Sequence, residues 1–205
     1  MLDIVIATRN SHKVRELSGL LRTPGIRWHS LEAFQGIGPL AERGATFRAN
    51  AVLKARAVAK ATGCLALADD SGLEVDALGG APGVRSARFA GRHGDDQANN
   101  RKVLRLLRGL GPRARGARYR CVLALAAPTR VLAVAEGQWA GRIARAAAGR
   151  NGFGYDPIFE VPRVGKTVGQ LSARTKQRVS HRALAARRLR PMLARLARRS
   201  ATARN

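Results

Sequence analysis

Short apolar runs broken by polar, glycine-bearing segments set the plan of this chain, and none approaches the length of a membrane span. Leu2 to Ala7 is a compact β-branched run that predicts a buried strand leading into Thr8-Arg9-Asn10-Ser11-His12-Lys13. Val14, Leu17 and Leu21 then recur at helical spacing, with Asn10 or Ser11 as the cap. The Gly- and Pro-containing stretch from Thr23 to Leu40 predicts a loop with a short strand around Ile26 to Leu31. A second helix opens at Thr46, presents Phe47, Ala51, Ala55 and Val58 on one face, and stops at Gly63. Cys64 to Ala68 reads as a buried strand that Ser71-Gly72 breaks.

Beyond that break, Gly79-Gly80-Ala81-Pro82-Gly83 punctuates a functional loop that runs on from Val84 to Gly91. Asp95 and Asp96 begin a third helix, with Val103, Leu106, Leu107 and Leu110 facing the core and Gly109 or Gly111 closing it. Ala117 to Ala127 and Arg130 to Glu136 are strands joined at Pro128-Thr129 into an antiparallel hairpin, extended by Gln138 to Ile143. Ser180 caps a final basic helix with an apolar stripe of Leu189, Met192, Leu193 and Leu196, which Pro191 is expected to kink or restart. A single domain of two lobes is expected over residues 1–199, with a frayed tail over 200–205.

The composition narrows the partners more than the fold. A formal net charge of +25 over 205 residues would draw polyanions, yet the excess is dispersed arginine, the bias a GC-rich coding sequence produces without selection for a ligand. Aromatic residues make up only 4%, so stacking platforms for single strands are scarce and no specific nucleic acid is expected. The first ten residues carry Asp3 and Arg9 where a signal peptide would be apolar, and a cytoplasmic protein is expected, with no membrane partner. Cys64 and Cys121 lie in apolar runs without ligand spacing and read as buried thiols.

Against that cationic background, Asp69, Asp70, Glu74 and Asp76 crowd into the stretch Leu65 to Gly91. Such crowding calls for a cation to offset it, and a hard divalent metal, Mg2+ first, is the simplest. Neighbours on a regular strand point to opposite faces, so either the strand ends at Asp69-Asp70 or only one of them serves a single ion. The plain alternative is a solvated acidic turn. The loop from Thr8 to Lys13 joins a strand to a helix start and aims amide N–H groups and an ammonium at one point, as phosphate sites do, without the glycines of a Walker loop. Asn151-Gly152-Phe153-Gly154-Tyr155-Asp156-Pro157 sets aromatic rings beside a carboxylate, suited to stacking on a base and accepting its ring N–H, or to plugging a core.

In four of these motifs the chain resembles the inosine triphosphate pyrophosphatases: Thr8-x-Asn10-x-x-Lys13; Ala68 to Leu73 with Asp76 to Gly83; Gly152 to Pro157; and Ser180-His181-Arg182. The resemblance implies an α/β fold with a long central mixed sheet flanked by helices, two lobes with the active cleft between them, and a homodimer. It also implies Mg2+-dependent hydrolysis of inosine, deoxyinosine and xanthosine triphosphates to the monophosphate and pyrophosphate. By the same likeness Asp70 is the general base or a metal carboxylate, with Glu42 a second ligand; the hydrolysis itself calls for a neighbouring carboxylate such as Asp69 to orient or deprotonate the water, and either aspartate can take either role. Lys13 balances charge in the reaction and, with Thr8, Arg9, Asn10, Ser11 and His12, holds phosphates, while Ser71 contacts the nucleotide. Phe153, Gly154, Tyr155, Asp156, Lys176, His181 and Arg182 surround the base. Arg9, Arg48 and Gln170 depart from the family's pattern, Arg48 replacing a common glutamate. A basic nucleic-acid-binding protein and an inactive nucleotide-binding relative are the competing readings.

Overall fold

A computed structural model describes residues 1–202 and joins seven strands into one sheet, in the order β2-β1-β3-β4-β5-β6-β7. These are β1 (Leu2–Ile6), β2 (Ile26–Ser30), β3 (Leu65–Val75), β4 (Gly116–Ala126), β5 (Val131–Ile143), β6 (Phe159–Val161) and β7 (Lys166–Thr167). β1 pairs parallel with both β2 and β3, whereas β6 pairs antiparallel with β5 and β7, so the sheet is mixed. The helices are α1 (Ser11–Leu20), α2 (Phe47–Thr62), α3 (Asp96–Leu106), α4 (Ala173–Val179) and α5 (His181–Thr202). Among the described residues, no helix is long and apolar enough to cross a membrane.

Local signals explain most of these elements. Asn10 caps α1 by accepting from the Lys13 amide at 3.1 Å, and Thr46 caps α2 by accepting from the Ala49 amide at 3.1 Å. Gly63 ends α2 in the left-handed conformation, with φ +69°, and its amide donates to the Ala59 carbonyl. Only four residues separate β4 from β5, a length that reverses the chain into the expected antiparallel hairpin.

Four expectations fail for identifiable reasons. The break at Ser71-Gly72 does not occur: β3 runs through Asp69, Asp70, Ser71 and Gly72, because pairing inside the sheet overrides the local turn signal, so there is no solvated acidic turn. Leu106 and Leu110 do not face a core but are 44% and 37% exposed, since α3 ends at Leu106 and only Val103 and Leu107 are buried. Of the kink or restart expected at Pro191, the restart does not occur: α5 is continuous through it and extends to Thr202; Ala203, Arg204 and Asn205 lie outside the described residues. Cys121 is buried as expected, but Cys64 is only half-buried.

The chain divides into two units, each with its own core. The first comprises residues 1–70, 121–137 and 182 onward, and its core joins Ile4, Ile6 and Leu67 of the sheet to Leu17 and Leu21 at α1 and to Leu189 and Leu193 of α5. The second comprises residues 71–120 and 138–181, with a core built on Leu73, Val75, Tyr119, Phe159 and Tyr155.

Candidate active site

In the first unit the alternation of β3 gives its two aspartates separate partners. Asp69 is 1% exposed; one carboxylate oxygen meets Lys13 Nζ at 2.5 Å, and the other accepts from Arg182 Nε at 3.0 Å and the Cys121 thiol at 3.2 Å. Burial by itself would raise the Asp69 carboxyl, but the charges of Arg182 and Lys13 outweigh it and hold the group well below the usual carboxylate range. Arg182 is buried in turn and also donates to Glu16. The Cys121 thiol is pushed well up by burial and by the adjacent Asp69 charge, which keeps it protonated as a donor.

Asp70 turns to Lys54. The Lys54 ammonium, 6% exposed, donates to Asp70 Oδ1 at 2.7 Å, to Glu42 Oε1 at 3.0 Å and to the Asp69 carbonyl at 2.8 Å, so all three of its protons are used. Burial raises the Asp70 carboxyl above its ordinary value, with Lys54 opposing it. Its second oxygen, Oδ2, is buried with no hydrogen-bond partner among the described residues. Two carboxylates that converge on one cationic atom, one of them keeping a bare oxygen, form a donor set suited to a hard divalent ion. No group of three His, Cys, Asp or Glu side chains among the described residues could hold a metal. An ion held here would rest on the two carboxylates Asp70 and Glu42 and take its remaining ligands from water or a bound phosphate.

The loop into α1 is shaped by its own polar residues. Thr8 Oγ1 accepts from the Asn10 amide at 3.2 Å, Asn10 is the cap, and Ser11 and His12 stand exposed in the first turn, His12 Nδ1 lying 3.1 Å from Arg15. Arg9 reaches away to the Ile37 and Gly38 carbonyls. Arg48 is exposed and lies 3.6 Å from Glu136, whereas Lys54 is the cation that meets Glu42 and Asp70.

In the second unit the glycine-rich loop is organised around Asp156, which is 2% exposed. Its carboxylate accepts from Tyr119 Oη at 3.0 Å, the Phe153 amide at 3.0 Å and Lys176 Nζ at 2.6 Å. Gly152, at φ +77°, leaves room for that carboxylate, since a Cβ there would stand 1.9 Å from Asp156 Oδ2. Lys176 Nζ also lies 4.5 Å from the centre of the Phe153 ring, and the His181 ring stacks on Tyr119 at 4.6 Å. Asp96 and Asn100 of α3 hold Gly154 through its amide and carbonyl, at 2.6 and 3.0 Å. Tyr155 points into the core and donates its hydroxyl to the Ser86 carbonyl, so it is the plug rather than an open face. Ser71 is half-buried at the start of this unit, and Gln170 closes a capping box with Thr167.

The first unit thus brings together Lys13, Asp69, Asp70, Glu42 and Arg182, and the second Phe153, Asp156, Lys176 and His181. Sequence reasoning passed over Lys54, Tyr119 and Glu16, and read Cys121 only as a buried thiol, with no part in the site. Lys54 was detectable: a lysine between Ala51 and Ala55 on the apolar stripe of α2 must bury its ammonium against something.

A family model described as the Ham1 family matches residues 4–192. The chain belongs to the Ham1 family. It is 49% identical over 195 residues to a protein of Desulforamulus reducens named dITP/XTP pyrophosphatase, covering 95% of this chain and 97% of that one. A protein of the same name from Nitratidesulfovibrio vulgaris is 50% identical over 192 residues, 91% of this chain and 93% of the relative. Among solved structures, a HAM1 protein from Coxiella burnetii is similar at a TM-score of 0.87 and 42% identity, covering 95% of this chain and all of the other. The Ham1 neighbours share the mixed sheet flanked by helices described above.

Proposed function

We propose that this Ham1 family chain is a nucleoside triphosphate pyrophosphatase that hydrolyses dITP, XTP and ITP to the monophosphate and pyrophosphate, using Mg2+. The observation that carries the reading is the bare, buried oxygen of Asp70 beside Glu42, in a chain nearly half identical to proteins named dITP/XTP pyrophosphatase. Mg2+ held by Asp70 and Glu42 would supply charge neutralisation and Lewis-acid polarisation of the phosphate chain. Lys54 keeps both carboxylates in register for that role. Lys13 and the amides that open α1 offer donors to phosphate oxygens, where developing charge is balanced.

Both oxygens of Asp69 are committed to Lys13, Arg182 and Cys121, whereas Asp70 keeps one open. Asp70 is therefore the carboxylate that meets the attacking water or its metal, and Asp69 positions Lys13 and Arg182. On the base side, Asp156 orients Lys176, and Phe153 offers a ring for stacking. Ammonium and imidazole donors suit a 6-keto oxygen and are left unmatched by the amino group of adenine. Sites built on such hydrogen bonds reject a mismatched ligand by about 10⁴ to 10⁵. The reading extends to a cytoplasmic enzyme that acts on the nucleotide pool as a homodimer.

A nucleotide panel with Mg2+, scored for pyrophosphate, tests the proposal. Release from dITP and XTP with little from ATP is expected, and Asp70→Asn lowers it about a hundredfold or more. Equal turnover of dITP and ATP, or none on either, would overturn it. Sedimentation equilibrium at the 22.0 kDa mass of one chain, rather than twice that, would remove the homodimer.

A further inference from the structure

Apart from the residues assigned to the reaction, the second unit carries a cavity of about 580 Å3 whose charged lining is entirely arginine. Arg101 and Arg105 stand about one turn apart on α3, Arg108 follows just after the helix, and Arg145 comes from the segment after β5. All four are exposed, and among the described residues none of their side chains forms an ion pair or hydrogen bond. The fifth, Arg115, is built into the wall at 5% exposure. It donates to the carbonyls of Ile143, Leu107 and Ala144 at 2.8, 2.7 and 2.8 Å, which uses three of its five N–H groups. With no carboxylate in the lining, the guanidinium charges oppose one another; burial and the charge of Arg145 hold Arg115 below its ordinary range. Leu104 and Leu110 supply the apolar wall, and Gly109 and Gly111 leave open space where side chains would stand.

We propose that this cavity binds a nucleotide bearing two or more phosphates, with the phosphate chain on the arginines and the base against Leu104 and Leu110. Guanidinium groups match phosphate oxygens in pairs, and several of them around one space suit a chain of phosphates. The volume is that of a site for a small organic ligand rather than for a lone oxyanion. The lining side chains offer donors and apolar surface but no acceptor, so keto and amino purines are received alike. That separates this site from the one built on Lys176 and His181.

Equilibrium dialysis of the full chain against ADP, at about 50 mM salt to limit screening, tests it. In a Lys13→Ala background, ADP still binds. Adding Arg105→Ala with Arg108→Ala weakens it roughly tenfold, while Arg105→Lys with Arg108→Lys, which keeps the charge and loses the fork, weakens it less. GDP behaves as ADP does, and inorganic tripolyphosphate displaces both at concentrations where single phosphate does not. With Lys13 intact, Arg105→Ala with Arg108→Ala retains the circular dichroism melt and the dITP turnover of wild type, so failure of the catalytic reading would appear separately, as absent turnover in both. ADP affinity unchanged in the paired variant, or abolished by Lys13→Ala alone, would overturn the proposal. So would a DNA duplex that binds through these arginines when ADP does not.

Discussion

Lys54 carries more of the candidate site than any other single side chain, because three acceptors share one buried ammonium. Replacing it with methionine keeps the volume and leaves Asp70 buried without its cation. Breaking a buried pair from one side costs about 3–5 kcal/mol, so Lys54→Met is expected to lose that much in urea unfolding at neutral pH, together with pyrophosphate release. The pH dependence has a definite sign. Burial lowers the Lys54 pKa, but Asp70 and Glu42 outweigh it and raise the group above its ordinary 10.5. Its contribution is therefore complete below that value and is lost as pH rises through the folded pKa. Asp69 works in the opposite direction. Its folded pKa lies well below 3.8, so the stability it confers is present above pH 3.8 and is lost as pH falls toward the folded value. Urea unfolding over that acid range should show wild type weakening steeply and Asp69→Asn, already less stable, nearly flat; an equal slope in both would refute the assignment.

Among the elements, α2 and β3 show what the sequence discloses and what it hides. In α2 a capping threonine, an apolar stripe and a terminal glycine agree, so its span was legible almost to the residue. In β3 the Ser71-Gly72 signal is local, while the strand's continuation depends on neighbours contributed from distant positions in the chain. The site follows the same division: Lys13, Asp70 and Asp156 stand in contiguous motifs, but the contacts of Asp69 with Arg182 and of Asp156 with Tyr119 join residues far apart. No periodicity reports such pairings. Two glycines separate local from nonlocal constraint in an experiment. Gly63 has φ +69° and open space at its Cβ, so Gly63→Ala costs only the left-handed strain, about 1 kcal/mol, or roughly 2–4 °C in thermal midpoint. At Gly149, φ is +82° and a Cβ would stand 2.0 Å from the Gly169 backbone, whose amide donates to the Asp156 carbonyl. Gly149→Ala is expected to lower the midpoint several times further and to raise KM for dITP, because the loop carrying Asp156 must shift. Comparable midpoints for the two variants would contradict this.

For the whole molecule, essentially the full net charge of +25 is carried at the surface, because the buried Asp69, Asp70 and Asp156 are matched by the equally buried Arg182, Lys54 and Lys176 and these pairs cancel. Exposed arginines therefore repel one another with little compensation, and the folded state gathers them more closely than the unfolded chain does. The Debye length falls from about 30 Å at 0.01 M salt to about 8 Å at 0.15 M, so sodium chloride should raise the thermal midpoint steeply over that interval and little beyond it. The buried pairs, screened far less, contribute almost nothing to this rise. A general solute effect on apolar burial would instead continue to grow with concentration. Reversing two exposed charges distinguishes screening from anything specific to the anion: Arg56→Glu with Arg198→Glu should melt above wild type at about 0.01 M salt, with the gap closing near 0.15 M. If the gap persists unchanged at high salt, the gain comes from new local pairs, and long-range repulsion is not what limits the stability of this chain.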